Sequence, residues 1–104
     1  GKEATRQELE AAFQDIIDQN TPLFEKQTES LTSFQMNFLR AIIDGVHSEF
    51  TTQEVMRKYQ LGSSANVSII KRALIKKELI EIDKRKAVIP DPIMKVWLQR
   101  ELRM

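Results

Sequence analysis

The first apolar pattern of the chain predicts a helix near its start. Thr5 and Glu8 have the spacing of a capping box. The apolar residues that follow at helical intervals are Leu9, Phe13, Ile16 and Ile17. A helix is therefore expected over residues 5–19, with a polar opposite face. Asn20-Thr21-Pro22 predicts a break in this helix followed by a short helical turn. Residues 25–31 are expected to form a connector.

A second capping box, Thr32 with Gln35, begins a segment with a broader apolar stripe that ends at Gly45. The stripe consists of Phe34, Phe38, Leu39, Ile42 and Ile43. Its width predicts the central core helix.

Residues 51–79 predict two further helices joined by a glycine turn. Thr51 with Glu54 forms a third capping box, and Gly62 can supply the left-handed conformation that the turn requires. Ser63 or Ser64 is expected to cap the second of these helices. The residues expected to face the core are Val55, Met56 and Tyr59 in the first helix and Val67, Ile70 and Leu74 in the second.

The pattern then changes to a period of two, over residues 80–83 and 87–89, which predicts a hairpin. Its tip carries Lys84, Arg85 and Lys86. Asp91-Pro92 begins a closing helix with Ile93, Val96 and Trp97 on its apolar side.

This order of elements predicts a mainly α fold, a winged helix-turn-helix with a three-helix core and a β-hairpin wing. Residues 1–30 are expected to form a helical extension. Residues 31–104 are expected to form the winged-helix domain with its closing helix.

Composition is typical of a globular protein, with 41% hydrophobic and 30% charged residues. No apolar run approaches the roughly 20 residues of a membrane span. Cysteine is absent, which fits a reducing compartment, so the cytoplasm is the expected location. The chain begins with Gly1, which suggests a tag remnant on a piece of a longer protein.

Charge is divided unevenly along the chain. Residues 1–50 carry 4 basic and 9 acidic side chains, whereas residues 51–104 carry 12 basic and 6 acidic ones. The second half is therefore the candidate surface for a polyanion, and the acidic half must face away from it.

Double-stranded DNA is the partner that this arrangement suggests. The candidate contacts are Ser64, Asn66 and Ser68 for base edges, Lys71 and Arg72 for phosphates, and Lys84, Arg85 and Lys86 on the wing. In the alternative interpretation these residues have no role in DNA binding. Ser63 and Ser64 cap the helix, Asn66 forms a hydrogen bond with a nearby backbone group, and the basic residues are simply solvated. The wing triplet then protects a hairpin edge.

Other chemistry has little support. His47 is the single histidine and is expected in a surface loop, so neither a zinc site nor a catalytic constellation is predicted. Trp97 is expected to pack in the core, and Tyr59 at the turn. We expect no metal, no cofactor and no enzymatic activity.

Three segments, LTSFQMNFLRAI, YQLGSSANVSIIKRALIKKELIE and VIPDPIMKVWL, resemble the C-terminal winged-helix region of bacterial and archaeal AAA-type (STAND-like) P-loop ATPases. The resemblance covers about residues 30–100, and Asp91-Pro92 followed by Trp97 is its most specific part. It implies a module that follows an ATPase core and lid, with residues 5–29 as a lid remnant or bridging helix. The glycines here form no phosphate-binding loop.

Two alternatives stay open at this point. The module binds DNA, or it docks on an ATPase core of its own chain or on a partner protein, which Ile69 and Ile75 would favour if they lie outside the core. Leu9, Phe13, Ile16 and Ile17 either pack within the monomer or pair two copies, so the oligomeric state is open.

Overall fold

The computed structural model describes residues 5–102, and Gly1 lies outside them. The elements in chain order are α1 (Arg6–Glu29), α2 (Ser33–Ile43), α3 (Gln53–Lys58), α4 (Ser64–Lys76), β1 (Glu81–Asp83), β2 (Lys86–Val88) and α5 (Pro92–Leu102). The two strands form one antiparallel hairpin. The predicted fold class, a mainly α winged helix-turn-helix, is confirmed.

The first helix is longer than the sequence pattern predicts. The capping box of Thr5 and Glu8 is present, but α1 continues through Pro22 to Glu29, so the expected break and connector are wrong. Thr21 donates its hydroxyl to the Ile17 carbonyl at 2.9 Å, which supports the backbone beside the proline. A proline removes one helical hydrogen bond, and that loss is tolerated where packing holds both flanks.

Those flanks are held by α5. Ile17 and Phe24, one on each side of Pro22, are the buried side chains of α1, and the Phe24 ring lies 5.5 Å from the Trp97 ring. Both residues belong to the same core as the helices that follow. The division into an extension at residues 1–30 and a domain at residues 31–104 stays a prediction.

The core is centred on α2, which packs against both α4 and α5. Its capping box of Thr32 and Gln35 forms as predicted. Phe38, Leu39 and Ile42 are buried, and Phe38 stacks on Phe50 with 4.2 Å between ring centroids. Phe34, expected in the core, is instead 44% exposed, because it lies in the first turn of α2, where no other element covers it.

The turn between α3 and α4 is fixed by local hydrogen bonds. Thr52 caps α3 by accepting from the Val55 amide, one residue later than the predicted capping box of Thr51. Gly62 has a φ of 83°, so the predicted left-handed conformation is confirmed. The buried Tyr59 side chain donates its hydroxyl to Asp44 Oδ2 at 3.0 Å, which ties the turn to the end of α2.

Ser63 caps α4, and Val67, Ile70 and Leu74 are buried as predicted. The hairpin pairs Glu81 with Val88 and Asp83 with Lys86. His47 lies in the loop between α2 and α3, but it is half-buried and bound to the wing. Its carbonyl accepts from the Ala87 amide at 2.7 Å, and its Nδ1 lies 3.0 Å from the Ala87 carbonyl. The loop between α2 and α3 is therefore hydrogen-bonded to strand β2 of the wing.

The closing helix completes the core. Asp91 accepts hydrogen bonds from the amides of Ile93 and Met94, which confirms it as the cap of α5. Trp97 and Leu98 are buried, so the core assignment of Trp97 is also confirmed. Within residues 5–102, no helix combines the length and the apolar character that crossing a bilayer requires.

Candidate nucleic-acid interface

The solvent face of α4 presents the polar and basic side chains of the predicted recognition helix. Ser64, Ser68 and Arg72 follow one another at intervals of four residues and are exposed, because the opposite face carries the buried residues. Lys71 is half-buried at the edge of this face. The solvent-exposed side of α4 therefore carries polar side chains, with the basic residues Lys71 and Arg72 near the middle of the helix.

The wing ends in a tight turn that is built from charged residues. Lys84 and Arg85 have φ angles of 50° and 69°, the left-handed values of a two-residue hairpin turn that usually contains glycine or asparagine. Both side chains are exposed, and Lys86 begins β2 opposite Asp83. A conformation that lysine and arginine adopt at some cost therefore places two cations at the tip.

A cleft of about 340 Å³ joins these two elements. Ser68 and Lys71 from α4 line one side, and Arg85 from the wing lines another. Three of the eight predicted DNA contacts thus share one concave surface. Ser64, Arg72, Lys84 and Lys86 lie outside the cleft lining and stay exposed to solvent.

Asn66 has a different environment from the other candidates. Its Nδ2 donates to the buried Leu61 carbonyl at 2.8 Å, and its backbone amide donates to the Ser63 hydroxyl at 3.1 Å. A Cβ placed on Gly62 would lie 2.9 Å from Asn66 Nδ2. The side chain therefore makes the local backbone contact that was the alternative to base recognition.

The loop before α3 supplies cleft residues that the sequence pattern did not indicate as part of a site. Thr51 contributes an exposed hydroxyl side chain and His47 a half-buried imidazole. Glu49, in the same lining, adds a carboxylate that would repel a phosphate nearby. Nothing in the local sequence marks these residues, because their place depends on the contact between His47 and the wing.

The basic side chains of this region are free of ion pairs within residues 5–102. Those side chains are Lys71, Arg72, Lys84, Arg85 and Lys86. The acidic helix α1 packs on α5 and leaves the outer face of α4 exposed. Negative charge from α1 therefore does not cover the basic face, and Glu49 is the acidic residue of the first half that lines the cleft.

The same face also exposes aliphatic side chains. Ile69 is 60% and Ile75 is 40% exposed on α4, and Ile82 of the wing is exposed as well. Such residues suit contacts with another apolar surface better than contacts with phosphates. The surface is therefore mixed in character.

Tyr59, at the turn between α3 and α4, contributes to the packing and hydrogen bonding of the fold. Burial, together with the hydrogen bond from its hydroxyl to the Asp44 carboxylate, raises the pKa of Tyr59 above its ordinary value. Among residues 5–102, no group of three or more histidine, cysteine or acidic side chains is placed to hold a metal ion.

Comparison with known proteins agrees with this architecture. A family model described as "Probable winged helix domain" matches residues 22–100, which include the second half of α1. No curated protein and no solved structure matches the chain. Because the match spans most of the sequence and all elements except the first part of α1 and the last two residues of α5, the chain belongs to the probable winged helix domain family.

Proposed function

We propose that this chain is a non-catalytic module that binds double-stranded DNA, with α4 in the major groove and the wing beside it. The observation that supports the proposal is the shared cleft, in which Ser68 and Lys71 from α4 and Arg85 from the wing line one concave surface. The width of a B-DNA major groove admits one α-helix. A cytoplasmic location fits such a role.

The proposed contacts divide by chemistry. Lys71, Arg72 and the wing cations bind phosphates, whereas Ser64 and Ser68 reach base edges from the first turns of α4. Asn66 supports the turn in front of them through the Leu61 carbonyl. Affinity is then dominated by phosphates, and sequence preference is modest.

A charge-reversal experiment tests this surface. The variant Arg72→Glu, Lys84→Glu, Arg85→Glu changes three exposed residues that make no ion pair within the described part of the chain. Binding to a duplex is measured by fluorescence anisotropy at about 50 and about 200 mM salt. We expect the affinity to fall at least about 100-fold and the salt dependence to become shallower by about 0.9 for each lost phosphate contact.

The matched control carries the same change in net charge on other surfaces. Lys26→Glu, Arg40→Glu, Lys95→Glu replaces exposed residues of α1, α2 and α5. We expect this variant to lose far less affinity than the face variant. Equal losses would show that net charge alone attracts the DNA, and the proposed face would then be rejected.

A second function is favoured by one observation, the exposed isoleucines on the same face. In this alternative, the module docks on an ATPase core of its own chain, or on a partner protein, through Ile69, Ile75 and Ile82. A P-loop ATPase parent is proposed on the sequence resemblance alone.

The full reading frame of the gene separates the two functions. If a phosphate-binding loop precedes this module, the ATPase rate of the full-length protein is compared between Ile69→Ser, Ile75→Ser and the Arg72, Lys84, Arg85 variant. Docking predicts that the serine variant alone changes the basal rate. DNA binding predicts that only the charge variant loses DNA affinity.

A further inference from the structure

One helix face of the molecule is apolar and has no partner within residues 5–102. Leu9 and Leu23 of α1 are 60% and 52% exposed, and Phe13 and Ile16 between them are exposed as well. The buried face of α1, with Ile17 and Phe24, points to α5 and lies beside this stripe. A soluble surface rarely keeps so many large apolar side chains in one row.

The spacing of the row is that of a coiled coil. Leu9, Ile16 and Leu23 recur every seven residues. Four residues after each of them come Phe13, Asn20 and Gln27, respectively. These are the d and a positions of three heptads, which together we call the α1 seam. The seam is about 27 Å long at 1.5 Å per residue. Its apolar residues stay exposed in one copy, whereas Asn20 donates its Nδ2 to the Ile16 carbonyl and Gln27 lines a small cleft with Lys77 and Leu79.

Charged residues of α1 are absent from the seam positions between Leu9 and Gln27, although Arg6 occupies the a position before Leu9. The acidic side chains of α1 are Glu8, Glu10, Asp15, Asp18, Glu25 and Glu29. Of these, only Glu10 flanks the seam, at an e position. In a parallel pair it lies next to Thr5 of the second copy, which is uncharged. Lys26, on the other flank, meets Leu31. A second copy therefore introduces no repulsion between like charges along Leu9 to Gln27.

The amino-terminal part of α1 also lacks support from its own domain. Every residue from Thr5 to Phe13 is exposed, although this part is fully helical. Two helical turns without tertiary contacts are marginal in water, and a capping box with one exposed ion pair, Arg6 with Glu10, adds little. A helix laid along the seam supplies the missing contacts.

We propose that two copies of this chain associate through the α1 seam as a parallel, in-register pair of helices. In this register Asn20 and Gln27 face the same residues of the second copy, and like apolar residues face each other in the layers of Leu9, Phe13, Ile16 and Leu23. An antiparallel pair centred on Ile16 would instead place Asn20 level with Ala12 and beside Phe13. The amide atoms left over from the hydrogen bond of Asn20 to the Ile16 carbonyl would find no partner there.

The seam is short in comparison with stable dimer interfaces, so association depends on concentration. The molar mass of the 104-residue chain is measured by sedimentation between about 5 and about 500 µM. We expect the mass to rise from 12.1 kDa towards twice that value. A mass of one chain at every concentration would overturn the proposal.

Two double variants locate the contact. Leu9→Ser, Ile16→Ser removes two exposed residues of the seam, and Ile69→Ser, Ile75→Ser removes two comparably exposed residues of α4 as the matched control. We expect the seam variant to stay monomeric and the control to dimerise like the native chain. The reverse result would place the interface on α4 and refute the seam. Circular dichroism verifies that both variants fold.

Single cysteines test the register, because the chain contains none of its own. Asn20→Cys is expected to form a disulfide between copies under mild oxidation, since a parallel pair brings equivalent positions together. Ile16→Cys cross-links in both orientations and serves as the positive control. Cross-linking at Ile16→Cys without cross-linking at Asn20→Cys would refute the parallel register.

Discussion

At the scale of single residues, Asn66 shows how a side chain suited to base recognition is used within the protein. Its Nδ2 closes the turn through the Leu61 carbonyl, and Leu61 is fully buried. A buried carbonyl that loses its donor costs more than the net energy of one hydrogen bond. The position is therefore one on which the turn and the start of α4 depend.

We expect Asn66→Ala to destabilise the fold by about 1–3 kcal/mol, because the Leu61 carbonyl is left without its donor. Urea unfolding measures the change. Ser68→Ala is the control, since the Ser68 hydroxyl makes only a long 3.5 Å bond to the Ser64 carbonyl on an exposed surface. A stable Asn66→Ala variant with altered base preference would instead support base recognition by Asn66.

Tyr59 makes the stability depend on alkaline pH. Because its pKa is raised in the folded state, the neutral phenol is favoured there, and this contribution is fully present below about pH 10. It is lost as the pH rises through the folded-state pKa. Urea unfolding from about pH 7 to about pH 11 should show a steeper loss for the native chain than for Tyr59→Phe. Parallel curves would contradict the assignment.

At the scale of elements, α1 and the wing both contain residues that oppose their local structure. Pro22 interrupts the hydrogen-bond pattern of α1, and the left-handed Lys84-Arg85 turn places two side chains in a conformation that favours glycine and asparagine. Packing of Ile17 and Phe24 compensates the first. The contact between His47 and Ala87 anchors the strand beside the second.

Pro22→Ala should stabilise the protein by about 1–3 kcal/mol, because the alanine amide can donate to the Asp18 carbonyl and no ring disturbs that turn. Thermal unfolding measures the difference. Gln19→Ala, at another exposed position of the same helix, is the control and should change little. If Pro22→Ala is neutral or destabilising, α1 is bent at Pro22 in a way that its packing requires.

Replacing Lys84-Arg85 by Asn-Gly should stabilise the hairpin by about 1 kcal/mol, because these residues adopt left-handed φ angles readily. The same change should weaken DNA binding, since two wing cations are lost. Unfolding and anisotropy are measured on one preparation. If the variant is more stable but binds DNA with unchanged affinity, the wing tip is not part of the DNA interface.

At the scale of the whole molecule, two surfaces lie on different sides of one core. The basic cleft is formed by α4, the wing and the loop before α3, whereas the α1 seam projects from the helix that packs on α5. The overall dimensions of 55 × 26 × 25 Å reflect the length of α1. Dimerisation through the seam would therefore leave both basic faces open for DNA.

Self-association should also make the melting temperature depend on concentration, because the dimer exists only between folded chains. We expect a rise of about 3 °C for each tenfold increase in concentration of the native chain. The Leu9→Ser, Ile16→Ser variant should show no such rise. An equal rise in both proteins would have to come from a contact outside the seam.

The sequence by itself determined the elements that depend on local chemistry. The caps at Thr5, Thr32 and Asp91, the left-handed Gly62 turn and the hairpin each follow from contacts within a few residues. The stripe of α4 that packs on α2 follows from its helical spacing of apolar residues. The charge asymmetry and the candidate basic residues were also evident. These features suffice for the fold class.

Tertiary structure alone decided the rest, because each outcome depends on distant residues. Packing on α5 stabilises α1 on both sides of Pro22 and buries Ile17, whereas Leu9, Phe13 and Ile16 stay exposed. Phe34 is exposed since no element covers the start of α2, and His47 is held by Ala87, forty residues away. The cleft that gathers Ser68, Lys71 and Arg85 exists only once helix, loop and wing have assembled, so no local pattern reveals it.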